Sequence, residues 1–254
     1  MQAVSEISWG LWELLLQGVW VTVQLTVFSA ALAAVVAFVI GLARTHRLWI
    51  VRFLSGAYFE IFRGTSALIL MFWIFFVLPI GFGWQLVPMW AAVLALGLSY
   101  GAYGSEVVRG AISAVSPAQR EAGIALSFSP AQQLRKIILP QAWPEMVPPF
   151  NNLLIELLKG TALVSIMGVA DIAFGASLVR NATGQSAPVY TIILVMYFVL
   201  AFLLTRVMRA VERHAKAGIG KAPEKRVGLR SRLSADQVGD IARSGAAPAG
   251  GAGR

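Results

Sequence analysis

The sequence has 254 residues, of which 57% are hydrophobic and only 13% are charged, and its mean hydropathy is +0.71. Soluble domains carry about twice that share of charged residues, so there is more apolar surface than a water-soluble core can bury, and we predict an integral membrane protein. The net charge of +9 does not indicate nucleic-acid binding, because the basic residues cluster between and after apolar runs. The lack of cysteine excludes disulfides, Cys-ligated zinc and thiol catalysis in these residues.

Five apolar runs predict membrane-spanning helices, each of which needs about 20 apolar residues. No residue between Glu13 and Arg44 is charged, and 18–43 is the first predicted span. The other four are predicted at 64–78, 88–108, 147–172 and 188–205. The second is short, and an extension through 49–62, partly in the membrane interface, would lengthen it. The expected fold class is all-α integral membrane with five transmembrane helices.

The distribution of basic residues predicts the orientation, because cytoplasmic loops are enriched in Lys and Arg. Basic residues cluster after the first, third and fifth spans: Arg44, Arg47, Arg52, Arg63, Arg109, Arg120, Arg135, Lys136, Arg206, Arg209, Arg213 and Lys216. We therefore expect the N-terminus outside and the C-terminus inside, with 1–17 as an extracytoplasmic segment and 18–213 as the transmembrane domain. Residues 214–254, rich in Gly, Ala, Pro and Ser, predict a disordered basic cytoplasmic tail. That tail is either inert or attracted to membrane lipid.

The predicted cytoplasmic loop 116–140 contains Ser-Pro-Ala-Gln twice, at 116–119 and 129–132. Each copy has a Ser N-cap, Pro at the first helical position and Gln three residues after the cap, which is a capping-box arrangement. Two short helices are therefore predicted, with a break around 127–129. Small residues in the first helix would let another surface approach its backbone. On these signals alone, a docking device and an ordinary amphipathic loop are equally supported.

This loop resembles the motif of permease subunits in ATP-binding-cassette importers, which reads Glu-Ala-Ala, three residues, Gly, nine residues, Ile-x-Leu-Pro. The matching residues at the family spacing are Glu121, Ala122, Ile137, Leu139 and Pro140. Gly123 stands in place of the second Ala, and Ser127 in place of the Gly at the helix break. The resemblance implies that these residues and Arg120 couple the chain to a separate ATPase subunit, with Glu121 accepting a hydrogen bond or ion pair.

The resemblance covers most of residues 14–213. Residues 15–26 (LLQGVWVTVQLT), 58–78 and 158–163 (LKGTAL) resemble the polar amino acid branch, and 101–112 (GAYGSEVVRGAI) and 152–163 resemble ectoine and hydroxyectoine permeases. It implies a type I importer permease fold in the cell inner membrane, and alternating-access import of ectoine, hydroxyectoine or a polar amino acid. The implied partners are ATPase subunits, a second permease copy or paralogue, and an extracytoplasmic solute-binding protein.

Two charges interrupt the fourth predicted span. Glu156 and Lys159 lie three residues apart and share a helix face. A lone Lys at mid-bilayer costs about 2.5–3.5 kcal/mol, so such residues normally face the bundle or a watery cavity. Either they line a path for a zwitterionic solute or they neutralise each other and brace the bundle. Thr161 and Ser165 add hydroxyls to the candidate path, although such hydroxyls often bond back to the preceding turn.

No motif for chemistry emerges from the sequence. The run at 218–221 (GIGK) lacks the first glycine and the hydroxyl residue of a phosphate loop. His46 and His214 stand alone without metal-ligand spacing. We therefore expect no cofactor, no metal and no enzymatic activity in this chain. A stand-alone secondary carrier or channel for amino acids is the alternative function, and the paired loop helices and the lack of recognisable inverted repeats argue against it.

Overall fold

The computed structural model describes residues 9–217, and the regular structure in this range is helical. The helices are α1 (Trp9–Ala43), α2 (Trp49–Gly64), α3 (Ala67–Phe82), α4 (Pro88–Ala114), α5 (Pro117–Ala125), α6 (Pro130–Met167), α7 (Ile172–Thr183) and α8 (Ser186–Ala217). Four of them, α1, α4, α6 and α8, are long and apolar enough to cross a membrane, and the bent pair of α2 and α3 can form a fifth span. The predicted all-helical membrane fold is therefore confirmed.

Three apolar clusters lie along the bundle. One joins the end of α1 and the end of α4 to the start of α6, through residues that include Ala37, Val108, Ile112, Ile138 and Met146. We call this the coupling end, because it carries residues 116–140. At the opposite end the start of α1 packs against α7 and the start of α8, through Leu15, Ile172, Val179 and Val189. The middle cluster joins α3 and α4 to α1 and the end of α6.

Glycines bring α1 and α4 into close contact. A Cβ added at Gly101 would lie 2.7 Å from the Cβ of Val36, and one added at Gly97 would lie 2.6 Å from Cδ2 of Leu32. Small residues at such positions let two helix backbones approach closely, and the resulting van der Waals packing is one of the forces that associate helices in lipid. The two long helices therefore form a rigid unit against which the others pack.

The second span is bent, which the sequence analysis did not predict. α2 and α3 meet at 101°, because Thr65 and Ser66 adopt extended backbone angles between them. The predicted span of 64–78 in fact begins at Ala67 and continues to Phe82, past Pro79. A π turn at Trp73–Val77 accommodates this proline: the Leu78 N–H bonds the Trp73 carbonyl, five residues back, just before the residue that lacks an N–H.

The fourth span also differs from the prediction. The second Ser-Pro-Ala-Gln does not start a short helix; it starts α6, which continues from Pro130 to Met167. A π turn at Leu134–Ile138 precedes Pro140, as in α3, so that the helix passes the proline without breaking. Its last part, Thr161–Met167, tightens to a 3₁₀ helix and ends at Gly168 with φ of 78°. The predicted end at residue 172 is therefore wrong, because a separate helix, α7, begins there.

The ends of the outer spans lie beyond the predicted limits. α1 begins at Trp9 rather than at residue 18, and Leu15 is fully buried in the bundle, so that 9–17 continues the first span. α8 begins at Ser186 and extends to Ala217, so that 214–217 of the predicted tail is helical. The remainder of the predicted tail, 218–254, and residues 1–8 lie outside the described residues.

Candidate coupling surface and solute path

The two Ser-Pro-Ala-Gln copies start helices as predicted, but only the second forms the full capping box. There Ser129 Oγ accepts from the Gln132 N–H at 3.3 Å, and the Ser129 N–H donates to Gln132 Oε1 at 2.9 Å. In the first copy no side-chain hydrogen bond caps α5. Gln119 Oε1 instead accepts from the Gln141 side chain on α6, at 3.3 Å. The first Gln therefore ties α5 to α6 rather than closing its own cap.

The break after α5 is a Schellman motif centred on Ser127. The Phe128 N–H bonds the Gly123 carbonyl at 3.0 Å, and the Ser127 N–H bonds the Ile124 carbonyl at 2.8 Å. Ser127 has φ of 56°, and within 9–217 it is the only non-glycine residue with positive φ. The predicted break is confirmed, and the residue that replaces the Gly of the resembled motif occupies the left-handed conformation that favours glycine.

The small residue Gly123 faces its own chain, contrary to the expectation that the small residues admit another surface. A Cβ at Gly123 would lie 3.0 Å from Cγ of Gln133 and 3.0 Å from Cδ1 of Ile137, both on α6. Leu139 belongs to the same interior, where it packs on the apolar cluster of the coupling end. Gly123 thus lets α5 lie directly on α6, where it meets Gln133 and Ile137.

Arg120 also binds its own chain. Its Nη2 donates to the Ile112 carbonyl near the end of α4 at 2.7 Å, while the Arg120 carbonyl accepts from Gln133 Nε2 at 3.3 Å. The guanidinium of Arg120 therefore ties α5 to α4, and its carbonyl ties α5 to α6. The opposite face of α5 and its end are exposed at Glu121, Ala122, Ile124, Ala125 and Leu126. We call these five residues the coupling surface; Ile124 and Leu126 are each 66% exposed.

The four candidate path residues separate into two pairs. Glu156 and Lys159 are both exposed on α6, and no ion pair joins them in the described part of the chain. Tyr100 of α4 lies beside them, because its hydroxyl donates to the Glu156 carbonyl at 3.0 Å. Thr161 and Ser165 bond their own helix instead, with Thr161 donating to the Leu158 carbonyl at 2.7 Å and Ser165 to the Ala162 carbonyl at 2.8 Å.

Two further polar groups, Glu106 and Asp171, are not among the residues singled out from the sequence. Glu106 accepts from Arg44 Nη1 at 2.6 Å and also pairs with Arg109; a carboxylate within a predicted span was the available signal. Asp171 is fully buried and caps α7, accepting from the Phe174 N–H at 2.8 Å. The Tyr197 hydroxyl donates to its other oxygen at 3.4 Å. An Asp just before an apolar helical run was the signal for this cap.

Comparison with known proteins identifies the family of this chain. Residues 30–217 match the family of binding-protein-dependent transport system inner membrane components. A probable amino-acid ABC transporter permease of Sinorhizobium fredii is 48% identical over 77% of this chain and 84% of its own length. The glutamine transport system permease of Escherichia coli is 31% identical over 82% of this chain and 95% of its own.

Solved structures show the same fold. The crystal structure of an amino acid ABC transporter with histidines superimposes with a TM-score of 0.73 at 30% identity, covering 80% of this chain and 94% of that one. An inward-facing methionine ABC transporter gives a TM-score of 0.71 at 24% identity, over 82% and 99% of the two chains, and supports the fold alone. The family match, the helical bundle and the type I importer fold establish that this chain belongs to the inner membrane components of binding-protein-dependent transport systems, the permease subunits of ATP-binding-cassette importers.

Proposed function

We propose that this permease subunit imports a small polar or zwitterionic solute of the amino acid class by alternating access. The observation that carries the proposal is the exposure of Glu156 and Lys159 on one face of a membrane-spanning helix. Exposure of such charges to lipid costs about 2.5–3.5 kcal/mol each, so this face is expected to line a watery path. One carboxylate and one ammonium beside it complement a solute that carries both charges.

The names of the relatives support the amino acid class. Permeases similar to this chain are named for glutamine in Escherichia coli and for arginine and cystine in Bacillus subtilis. Ectoine and hydroxyectoine, which the sequence resemblance indicated, are zwitterions with the same charge requirement. Thr161 and Ser165 contribute less to the path in this proposal, because their hydroxyls already bond the helix backbone.

ATP hydrolysis is assigned to separate ATPase subunits that bind the coupling surface. Its exposed apolar side chains are Ile124 and Leu126, and the exposed carboxylate Glu121 and the small residue Ala122 precede them on α5. Exposed apolar groups with a polar neighbour are typical of protein–protein contacts. In this arrangement the coupling end is cytoplasmic, and the opposite end faces the solute-binding protein.

The contact between α5 and α6 supplies a physical route from the ATPase to the solute. α5 lies on α6 through Gly123 and Gln133, and α6 continues without a break to Glu156 and Lys159. At about 1.5 Å per residue, this places the two charges roughly 35 to 39 Å along the helix from Gln133. A displacement of α5 by the ATPase therefore moves the path-lining charges as part of one body.

Reconstitution tests the proposal. The chain is reconstituted into liposomes with its ATPase, its partner permease and its binding protein, and uptake of labelled glutamine, arginine and ectoine is measured. We expect uptake of at least one solute that requires both ATP and the binding protein. Accumulation of solute by vesicles containing this chain alone would contradict the proposal and would favour a stand-alone carrier.

A further inference from the structure

A second group of charges lies on the coupling-end side of Glu156 and Lys159. A cavity of about 620 Å³ is lined by residues of α2, α4 and α6 and by Arg44, which directly follows α1. Its charged lining consists of Arg44, Glu60, Arg63 and Glu106. Neither the coupling surface nor the pair Glu156 and Lys159 includes any of these four residues.

Two tyrosines connect this cavity to the central charges. Tyr100 binds the Glu156 carbonyl, and the ring of Tyr103, 6.4 Å from that of Tyr100, lines the cavity. The Tyr103 hydroxyl donates to the Arg63 carbonyl at 3.3 Å. Three residues of helix rise by about 4.5 Å, so the cavity lies about one helical turn closer to the coupling end. A solute that leaves Glu156 and Lys159 toward that end meets the cavity next.

Two of the four lining charges are already paired. Glu106 pairs with Arg44 and also with Arg109, which lies outside the lining. The guanidiniums of Arg63 and Arg44 both approach the ring of Phe59, at 5.6 and 4.1 Å. Within the described residues no ion pair involves Arg63 or Glu60, so one guanidinium and one carboxylate of the lining stay available to a ligand that carries both charges.

We propose that this cavity binds the carried zwitterion on its way to the coupling end, with Arg63 holding its carboxylate and Glu60 its cationic group. The two side chains are exposed and three residues apart on α2, which places their Cβ atoms about 5–6 Å apart, a spacing that suits the two charges of an α-amino acid. Within the described residues neither takes part in an ion pair. The inference rests on the proposed function, since the ligand is the imported solute.

The absence of cysteine from the chain allows a direct test by site-specific labelling. Val107 lines the cavity, and Val107→Cys provides a single reporter thiol in this subunit. The complex with its ATPase is placed in nanodiscs without nucleotide, and the rate of modification by a charged maleimide is measured on the permease band. We expect millimolar glutamine, arginine or ectoine, whichever the complex imports, to slow modification.

Charge variants in the Val107→Cys background locate the ligand. Arg63→Gln and Glu60→Gln should each weaken protection by about tenfold, because each removes a charge-assisted hydrogen bond. Arg52→Gln, on the same helix but outside the cavity lining, should leave protection unchanged. As a control for access, Ile61→Cys, 63% exposed and outside the lining, should react at the same rate with and without solute.

Three outcomes would overturn the proposal. One is a lack of protection in a complex that imports the solute. The second is equal protection in the parent and in both Arg63→Gln and Glu60→Gln. The third is protection that follows the content of anionic lipid and not the solute, which would assign the cavity to a lipid headgroup. Import is measured on the same preparation, so that a failure of the importer function is distinguished from a failure of this site.

Discussion

At the scale of single residues, Ser127 replaces the Gly of the resembled motif and keeps the same break at a cost in free energy. The Schellman motif requires a left-handed residue after α5, and Ser127 takes that conformation with φ of 56°. For a residue with a Cβ, the left-handed conformation costs about 1–2 kcal/mol relative to the preferred conformations. The sequence shows that Ser replaces Gly in the motif, but only the backbone angles show that this position is left-handed.

Two substitutions at Ser127 test this cost. Ser127→Gly should raise the free energy of unfolding by up to about 1 kcal/mol, the relief of strain being partly offset by the greater freedom of Gly in the unfolded chain. Ser127→Val should lower it by more than about 1 kcal/mol, because β-branched residues are outliers in this region. Thermal unfolding of the purified complex measures both, and Ser127→Ala serves as the control near wild type. Equal melting of the Val and Ala variants would show that the break is not left-handed.

Lys159 and Ser165 differ in whether their polar groups are available to a solute. Lys159→Met should reduce uptake by at least about tenfold while expression in the membrane stays near wild type, because it removes one charge of the path and not a packing contact. Ser165→Ala is the matched control. Its hydroxyl bonds the Ala162 carbonyl, so uptake should change little. Uptake assays and quantitative blots give the two readouts, and parallel losses of uptake and expression for Lys159→Met would favour a structural role.

At the scale of elements, the sequence predicted the all-helical membrane fold and the starts of α5 and α6, because apolar runs and Ser-Pro caps are local signals. It did not predict that α6 is continuous through Pro140, since the π turn at Leu134–Ile138 that accommodates this proline has no sequence signature of its own. Nor did it predict the pairing of Arg44 with Glu106, which lie 62 residues apart in sequence and meet only through the packing of α1 on α4.

The packing of α1 on α4 gives a prediction from two glycines on one helix. Gly101→Ala should destabilise the protein by about 1–3 kcal/mol, because the new Cβ would lie 2.7 Å from the stiff side chain of Val36. Gly110→Ala, where nothing lies within 4 Å, should be neutral or stabilise by up to about 1 kcal/mol through helix propensity. Melting temperatures of the two variants in the same detergent provide the comparison. Similar values would mean that the α1–α4 contact is looser than described.

At the scale of the whole molecule, the chain is organised around one continuous helix that connects two surfaces. α6 bears the contacts that hold α5 at the coupling end and, further along, the two charges of the proposed path. The residues of the resembled motif divide accordingly. Gly123, Ile137 and Leu139 face the chain itself, whereas Glu121 and Ala122 face outward. A partner that binds the outward-facing residues of α5 therefore acts on a helix that already packs on α6 through its inward-facing residues.

Reversing one charge on the coupling surface tests whether the outward-facing residues of α5 bind the ATPase. Glu121→Lys replaces the exposed carboxylate with an ammonium, so it removes the acceptor for an ATPase donor and adds like-charge repulsion, and it should abolish recovery of the ATPase in pull-down experiments. Membrane insertion and melting of the permease should stay unchanged, because Glu121 is exposed and lies outside the contacts that hold α5. Glu13→Lys makes the same reversal on an exposed residue of α1, toward the opposite end of the bundle, and should leave ATPase recovery intact. Undiminished recovery with Glu121→Lys would place the ATPase elsewhere, and the exposed apolar pair Ile124 and Leu126 would then need another partner.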